Sequence, residues 1–154
     1  MNDINEIYRM LNWQSSFGDQ LQGIKLAKDL DDLTPLILTC ATKECKGVWE
    51  NCARALYEVS DERLEKYLPY LLEWLYDLNQ AGAWIILDRL KVFSGKKLKG
   101  PFVECLNYLS NINSESGQMF LSNLSELLDN EELKAELPRP IIEILQKHYK
   151  NWGF

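Results

Sequence analysis

Apolar residues recur every three or four positions along most of this chain, which is the period of an α-helix that buries one face. No stretch alternates apolar and polar residues as a half-buried strand does. Two of the stripes consist of Leu21, Ile24, Ala27 and Leu30, and of Val48, Cys52, Ala55, Leu56 and Val59. The pattern therefore predicts an all-α fold. With 154 residues, 46% of them hydrophobic, the chain is expected to form a single helical domain over residues 1–154 that needs no disulfide or metal.

Capping residues and prolines predict where the helices begin and break. Helix starts are predicted at Ser15 or Ser16, at Thr34-Pro35, at Ser60-Asp61 and at Ser114-Glu115. Pro69 lies inside an apolar stripe and should break or kink its helix near residues 66–68. Residues 94–100 carry three lysines between two glycines and predict a basic connector, after which Pro101 begins the next helix.

The spacing of the longer helices suggests a repeat. They are predicted to begin near residues 16, 46, 79 and 115, at intervals of about 30, 33 and 36 residues, and each precedes a shorter or kinked partner. One helix pair per interval is typical of an α-α superhelix, a HEAT/ARM-like solenoid, here of about four degenerate pairs. An irregular helical bundle is the alternative, and it accounts for the periodicity less well.

The formal net charge of −6 is distributed unevenly along the chain. Residues 88–100 carry +4, whereas residues 104–136 carry −6. An acidic domain repels phosphate backbones, so nucleic acid is not expected as a partner. It attracts a cationic protein partner and speeds association with it; alternatively, the charge only keeps the domain in solution. The lysines at 96, 97 and 99 are read as a solvated loop, with a contact site as the other reading.

Two observations predict a cytoplasmic protein without a membrane partner. No stretch approaches the roughly 20 apolar residues of a membrane span, and the start Met1-Asn2-Asp3 lacks the basic and apolar regions of an export signal. The four cysteines are then expected to be free thiols in a reducing compartment. They are Cys40, Cys45, Cys52 and Cys105.

The residue types that carry catalysis or bind metals are present but not in the arrangements that this chemistry requires. The spacing of Cys40, Cys45 and Cys52 does not match zinc sites, and the single histidine, His148, is read as a packing or capping residue. Three carboxylate pairs fall at helix starts, where the helix dipole favours negative charge: Asp31-Asp32, Asp61-Glu62 and Glu131-Glu132. We therefore expect no catalytic, metal or cofactor site, and no enzyme.

Two clusters combine tryptophan with carboxylates and amides, which are residue types that bind proteins. They are residues 48–53 and 73–79. The partner-binding residues predicted from them are Trp49, Glu50, Asn51, Glu73, Trp74 and Asp77. Two alternatives stay open: the tryptophans belong to the core, and Asp77 with Asn79 caps the helix that follows a helix–helix corner.

The order of these segments resembles a family of small bacterial HEAT-like proteins associated with the immunity proteins of polymorphic toxin systems. The resemblance spans about residues 16–93, through Gly23-Ile24-Lys25-Leu26-Ala27 and the segments 48–53 and 68–79, with a looser similarity in Leu137-Pro138 and residues 148–153. It implies a right-handed α-α superhelix that neutralises a toxin by binding it. One departure is that Asn79 is followed by Gln80-Ala81-Gly82, where the family often has Trp-Pro-Gly.

Three functional hypotheses follow. The first is an immunity-type protein whose acidic helical surface covers a basic toxin domain. The second is a general helical adaptor for an ordinary cellular protein. The third is an enzyme or small-molecule binder, which would require a polar pocket with a perturbed carboxylate or thiol.

Overall fold

The computed structural model describes residues 3–37, 47–112 and 114–149, and within these ranges the chain is all-helical without a strand. The α-helices are α1 Ile4–Leu11, α2 Phe17–Lys28, α3 Thr34–Ile37, α4 Trp49–Tyr57, α5 Asp61–Leu64, α6 Leu68–Glu73, α7 Ala83–Lys91, α8 Gly95–Ser110, α9 Glu115–Ser125, α10 Glu131–Glu136 and α11 Arg139–His148. Short 3-10 helices cover Glu65–Tyr67, Trp74–Tyr76 and Glu126–Asp129. None of the helices in the described ranges is long and apolar enough to cross a membrane.

Most of the predicted helix starts are confirmed, and the capping hydrogen bonds give the reason. The hydroxyls of Ser16, Ser60 and Ser114 accept from backbone N–H groups in the first turns of α2, α5 and α9. Thr34 does begin α3, but its hydroxyl donates to the Asp32 carboxylate at 2.6 Å, so it does not act as the predicted cap. The predicted break before Pro69 is also confirmed, since the 3-10 turn at residues 65–67 separates α5 from α6.

The predicted basic connector at residues 94–100 is wrong, because this segment forms the first turns of α8. Ser94 caps the helix, and Leu98 is fully buried. Gly95 lies so close to α10 that a Cβ there would be 2.2 Å from the backbone nitrogen of Leu133. Pro101 therefore lies inside α8, whereas the sequence predicted that it begins a helix. The packing contacts outweigh the backbone hydrogen bond that proline removes there.

The N-terminal region departs from the prediction in two ways. Helix α1, which packs against α2, was not among the predicted helices. The predicted inward position of Leu21 is wrong: α2 buries Gly23 and Ala27 and leaves Leu21 exposed. The reason is close packing, since a Cβ on Gly23 would lie 2.8 Å from the Cβ of Met10.

Helices α2, α4 and α7 pack in succession and run parallel. Near the N-terminal ends of α2 and α4, the Asn51 amide donates to Gln20 at 3.0 Å, and near their C-terminal ends Lys28 pairs with Glu58 at 3.5 Å. Gly82 and Arg89 make the corresponding contacts with the two ends of α4. A second succession runs from α6 to α8 to α10.

The turns that follow α2, α4, α7 and the 3-10 helix at residues 126–129 lie side by side, and we call them the turn edge (residues 28–34, 58–65, 89–97 and 129–133). We call the successive segments α2–α3, α4–α6, α7–α8 and α9–α11 units, and at the turn edge side chains of one unit bond to backbone groups of a neighbouring unit. Asn130, which is 3% exposed, donates to the carbonyls of Leu90 and Phe93 at 2.9 Å each. Arg89 donates to the carbonyl of Val59 at 2.9 Å, and Arg63 donates to the carbonyls at the C-terminal end of α2.

The same device recurs away from the turn edge. Asn51 donates to the Leu11 carbonyl at 2.8 Å, and Asn123 donates to the Leu75 carbonyl at 2.8 Å. The last carbonyls of a helix have no partner within that helix. Each buried amide therefore satisfies the C-terminal end of a helix 40 to 48 residues earlier in the chain.

Candidate protein-binding surface

The structure brings Trp49 and Trp74 together, although they come from different predicted clusters. Their ring centroids lie 6.4 Å apart with planes tilted by 52°, which is a favourable aromatic geometry. Trp74 is 8% exposed and Trp49 is half-buried. The contact joins the first turn of α4 to the 3-10 turn that follows α6, and we call this junction the tryptophan corner (Trp49, Trp74 and Gly82).

Gly82 closes the tryptophan corner because no other residue fits there. Its φ of 86° is in the left-handed region. A Cβ at this position would lie 2.8 Å from the Cβ of Ala53, and 3.0 Å from both the Trp49 carbonyl oxygen and the Trp74 ring. Glycine is thus required at this corner by both conformation and space.

The two predicted glutamates flank the tryptophan corner on the outside. Glu50 follows Trp49 and is exposed, with its carboxylate 3.6 Å from the guanidinium of Arg54 one turn later. Glu73 precedes Trp74 and is also exposed. An exposed pair such as Glu50–Arg54 contributes little to stability, so both carboxylates can be offered to a partner.

Asn51 and Asp77 make internal hydrogen bonds. Asn51 is 4% exposed and its amide is bonded to Leu11 and Gln20, so its side chain presents almost no surface to a partner. The Asp77 carboxylate accepts from the backbone N–H of Asn79 at 2.9 Å and shapes the turn before α7.

Further exposed side chains with large apolar parts near this surface were not among the predicted contacts. Phe17 is 76% exposed, Leu21 51%, Tyr76 48% and Trp84 47%. Trp84 follows the tryptophan corner by two residues, whereas Phe17 and Leu21 lie one turn apart on α2. The signal in the sequence is the small-residue pair Gly23 and Ala27, which packs inward and turns the larger side chains outward.

The thiols in the described ranges are not arranged for nucleophilic chemistry. Burial raises the pKa of Cys52 to about 12, and burial together with the Glu73 carboxylate raises the pKa of Cys105 to about 11. A thiol of this kind stays protonated at neutral pH, and the thiolate is the reactive form. Cys40 and Cys45 lie outside the described residues. Over the described part of the chain, no group of three or more His, Cys, Asp or Glu side chains is placed to hold a metal ion.

A groove of about 360 Å³ lies on the turn edge between α5 and the loop before α3. Its lining combines carboxylates with basic and apolar side chains: Asp31, Leu33, Glu62, Arg63, Glu65, Lys66 and Tyr67. Arg63 is committed to backbone carbonyls, Glu65 pairs with Lys97 at 3.6 Å, and the hydroxyl of Tyr67 is bonded to Asp32. Three of the polar side chains of the groove thus join adjacent units, whereas Asp31 and Glu62 are exposed.

Three of the basic side chains in residues 88–100 form ion pairs within the molecule. Arg89 pairs with Asp61 at 2.5 Å, Lys91 with Asp129 at 3.1 Å, and Lys97 with Glu65 at 3.6 Å. These three cations pair with carboxylates of the neighbouring turns, so the segment helps to hold the turn edge together. Most of the acidic side chains outside these pairs remain on the surface.

Comparison of the chain with family models, with curated proteins and with solved structures finds no match. The functional interpretation therefore depends on the residues and geometry described above.

Proposed function

We propose that this chain is a non-catalytic protein-binding module of the immunity type, which neutralises a cognate bacterial toxin in the cytoplasm by binding a basic domain of it. The observation that carries the proposal is the combination of aromatic side chains and exposed carboxylates around the tryptophan corner. Tyr76 and Trp84 are each about half exposed, and Glu50 and Glu73 lie beside the contact of Trp49 with Trp74.

A HEAT-like solenoid is the architecture we propose for this module. Two features support it. Helices α2, α4, α7 and α9 begin at Phe17, Trp49, Ala83 and Glu115, which gives nearly constant intervals of about 32 to 34 residues. Most of the larger helix contacts join successive units, as expected when each repeat touches mainly its neighbours, although α9 packs on the 3-10 turn at residues 74–76, one unit further back.

At the proposed binding surface, exposed residues would contact the partner and buried residues would support them. Glu50 and Glu73 would pair with lysine or arginine of the partner, while Trp84 and Tyr76 would supply apolar area. Trp49 and Trp74 would hold the surface in shape from beneath. Asn51 and Asp77 would act indirectly, because they fix the first turn of α4 and the turn before α7.

The test is capture of the partner by charge-matched variants. The tagged wild-type chain, the variant Glu50→Lys with Glu73→Lys, and the control Asp31→Lys with Glu62→Lys are used as baits in lysate of the native source across a salt series. Both double variants change the net charge equally, but only the first lies at the tryptophan corner. We expect wild type and control to retain one basic protein that high salt releases, and the corner variant to bind it at least tenfold more weakly.

Function is then read from growth. The captured protein is expressed alone, with the wild-type chain, and with the corner variant. Toxicity that the wild-type chain suppresses and the corner variant does not would support the immunity proposal. A captured protein that is harmless when expressed alone would favour the adaptor function instead. Equal capture by all three baits would remove the tryptophan corner from the binding surface.

A further inference from the structure

Helix α2 leaves two of its large apolar side chains exposed while it buries two small residues. Phe17 and Leu21 are 76% and 51% exposed, whereas Gly23 and Ala27 are buried and Ile24 and Leu26 are partly buried against the core. Folding normally buries the larger apolar residues, since each contributes about 1.5 to 3 kcal/mol. Such a helix offers an apolar face that nothing in residues 3–37, 47–112 and 114–149 covers.

The exposed side of α2 is continuous with the exposed sides of α4 and α7, because the three helices are parallel and in register. The contacts of Gln20 with Asn51 and of Lys28 with Glu58 set an offset of about 30 residues between α2 and α4. Those between α4 and α7 set a similar offset. Applied to the exposed positions, these offsets place Leu21, the Glu50–Arg54 pair and Trp84 within about one helical turn of the same level.

The outer face, which we define as Phe17, Leu21, Glu50, Arg54 and Trp84, has an apolar–charged–apolar order. Phe17 and Leu21 lie at one side and Trp84 at the other. Between them is the Glu50–Arg54 pair, whose side chains are both 55% exposed. Packed helices lie about 8 to 10 Å apart, so α2 and α7 are separated by about 16 to 20 Å.

We propose that a segment of the partner protein lies across the outer face, with apolar side chains on Phe17–Leu21 and on Trp84 and a basic side chain at Glu50. This proposal depends on the proposed function and defines its footprint. At about 3.3 Å per residue, an extended segment spans the distance with five to six residues. The exposed Glu50–Arg54 pair is weak, so Glu50 can exchange Arg54 for a cation of the partner.

Charge favours a basic partner over a second copy of this chain as the occupant. Each copy carries a formal charge of −6, so two copies repel one another, whereas a cationic segment is attracted. Glu50 and Asp88 are exposed on the same row of helices, and Glu73 lies beside the tryptophan corner, so the carboxylates continue beyond the apolar side chains.

The experiment uses a phage-displayed library of random 16-residue peptides selected on the wild-type chain. Enriched peptides are then titrated against Phe17→Ala with Leu21→Ala, against Trp84→Ala, and against the control Tyr108→Ala. Tyr108 is 68% exposed, but it lies on α8 in the other succession of helices. Circular dichroism melting checks that each variant is folded, and a less disruptive Trp84→Phe replaces any Trp84 variant that is not.

We expect the peptides to share apolar residues about five or six positions apart with lysine or arginine between them. Each anchor variant should weaken binding at least tenfold, and Tyr108→Ala less than twofold. Loss of binding with Trp84→Ala but not with Phe17→Ala and Leu21→Ala would overturn the footprint and leave the proposed function intact. Peptides whose binding is unaffected by either anchor variant would contradict both the footprint and the proposed function. A wild-type dimer in light scattering that becomes a monomer with Phe17→Ala and Leu21→Ala would identify a second copy as the occupant and also overturn the proposal.

Discussion

The turn edge and the outer face both carry charged and polar side chains, yet they use them in opposite ways. At the turn edge, Asn130 and Arg89 are 3% and 7% exposed and bond to backbone carbonyls of the preceding unit. On the outer face, Glu50 and Arg54 are 55% exposed and pair only with each other in the described structure, at 3.6 Å. The first arrangement joins units, and the second leaves its groups available.

The difference shows that burial and bonding partner, more than residue type, decide the role of a polar residue in this chain. A buried amide that lost its partners would leave carbonyls without hydrogen bonds, at a cost of about 1 to 3 kcal/mol each. An exposed ion pair is usually worth less than about 1 kcal/mol. Substitutions at the turn edge should therefore change stability, while those on the outer face should change binding.

The largest effect is expected from Gly95→Ala at the turn edge. The added Cβ would lie 2.2 Å from the nitrogen of Leu133 and 2.4 Å from the carbonyl carbon of Glu132, both backbone atoms that cannot move independently. Helices α8 and α10 would have to separate, and we expect a loss of roughly 3 kcal/mol or more in urea unfolding. The control is Gly18→Ala on α2, where a Cβ meets nothing within 4 Å and should stabilise the helix by up to about 1 kcal/mol. Equal stability of the two variants would show that α8 and α10 do not pack this closely.

A somewhat smaller loss is expected from Asn130→Ala. This side chain donates to the carbonyls of Leu90 and Phe93 and accepts from the Leu133 N–H as the cap of α10. Its removal takes these hydrogen bonds from three backbone groups, of which the Leu90 carbonyl still accepts from the Phe93 N–H at 3.2 Å. We expect a loss of roughly 2 to 3 kcal/mol in the same measurement. Asn107→Ala, at an exposed position on α8, should change stability by less than about 0.5 kcal/mol. If the two asparagines behave alike, the junction between units is not stabilised by the buried amide.

The most direct comparison uses neighbours in the sequence, Asn51 and Glu50. Asn51→Ala should cost roughly 1 to 3 kcal/mol, because the Leu11 carbonyl loses its donor. Glu50→Ala should cost less than about 0.5 kcal/mol, because only an exposed pair with Arg54 is lost. Chemical unfolding measures both, and a titration with the captured partner should show the reverse order of effects. A costly Glu50→Ala would place this carboxylate with the structural residues.

Much of the helical architecture could be predicted from the sequence because it depends on local signals. Serine caps at residues 16, 60 and 114 and the proline at 69 act within one or two turns, and these predictions are confirmed. The prediction of a connector at residues 94–100 was wrong because the helix there depends on contacts with α10, whose residues come almost 40 positions later in the chain. Local composition favoured a loop there, and tertiary packing favoured a helix.

The candidate site was less predictable for the same reason. The aromatic residues were visible in the sequence, but the contact between Trp49 and Trp74 depends on how two units stack. Asn51 shared the composition of an interface residue, and only its 4% exposure reveals an internal role. Of the stripe that helical periodicity predicted on α2, Ala27 is buried and Ile24 and Leu30 pack against the core, but Leu21 is exposed, because the close approach to α1 requires glycine at position 23.

The smallest effect is expected at Asp32, where the turn edge begins and its carboxylate is exposed. The Thr34 hydroxyl, the Thr34 backbone N–H and the Tyr67 hydroxyl all donate to it, and these bonds hold its pKa below the ordinary value of 3.8. A lowered pKa means that the folded state favours the charged form, so the contribution to stability is present above that value and is lost as the pH falls through the folded pKa. Thr34→Ala removes the strongest of the three donors. We expect the pKa of Asp32, followed by NMR of its carboxyl carbon, to rise toward the ordinary value. The small difference in stability between wild type and variant should be present at neutral pH and vanish in strong acid. An unchanged pKa would mean that the hydrogen bond from the Thr34 hydroxyl to Asp32 does not persist in solution, and that the bonds from the Thr34 N–H and the Tyr67 hydroxyl are what hold this carboxylate at the turn edge.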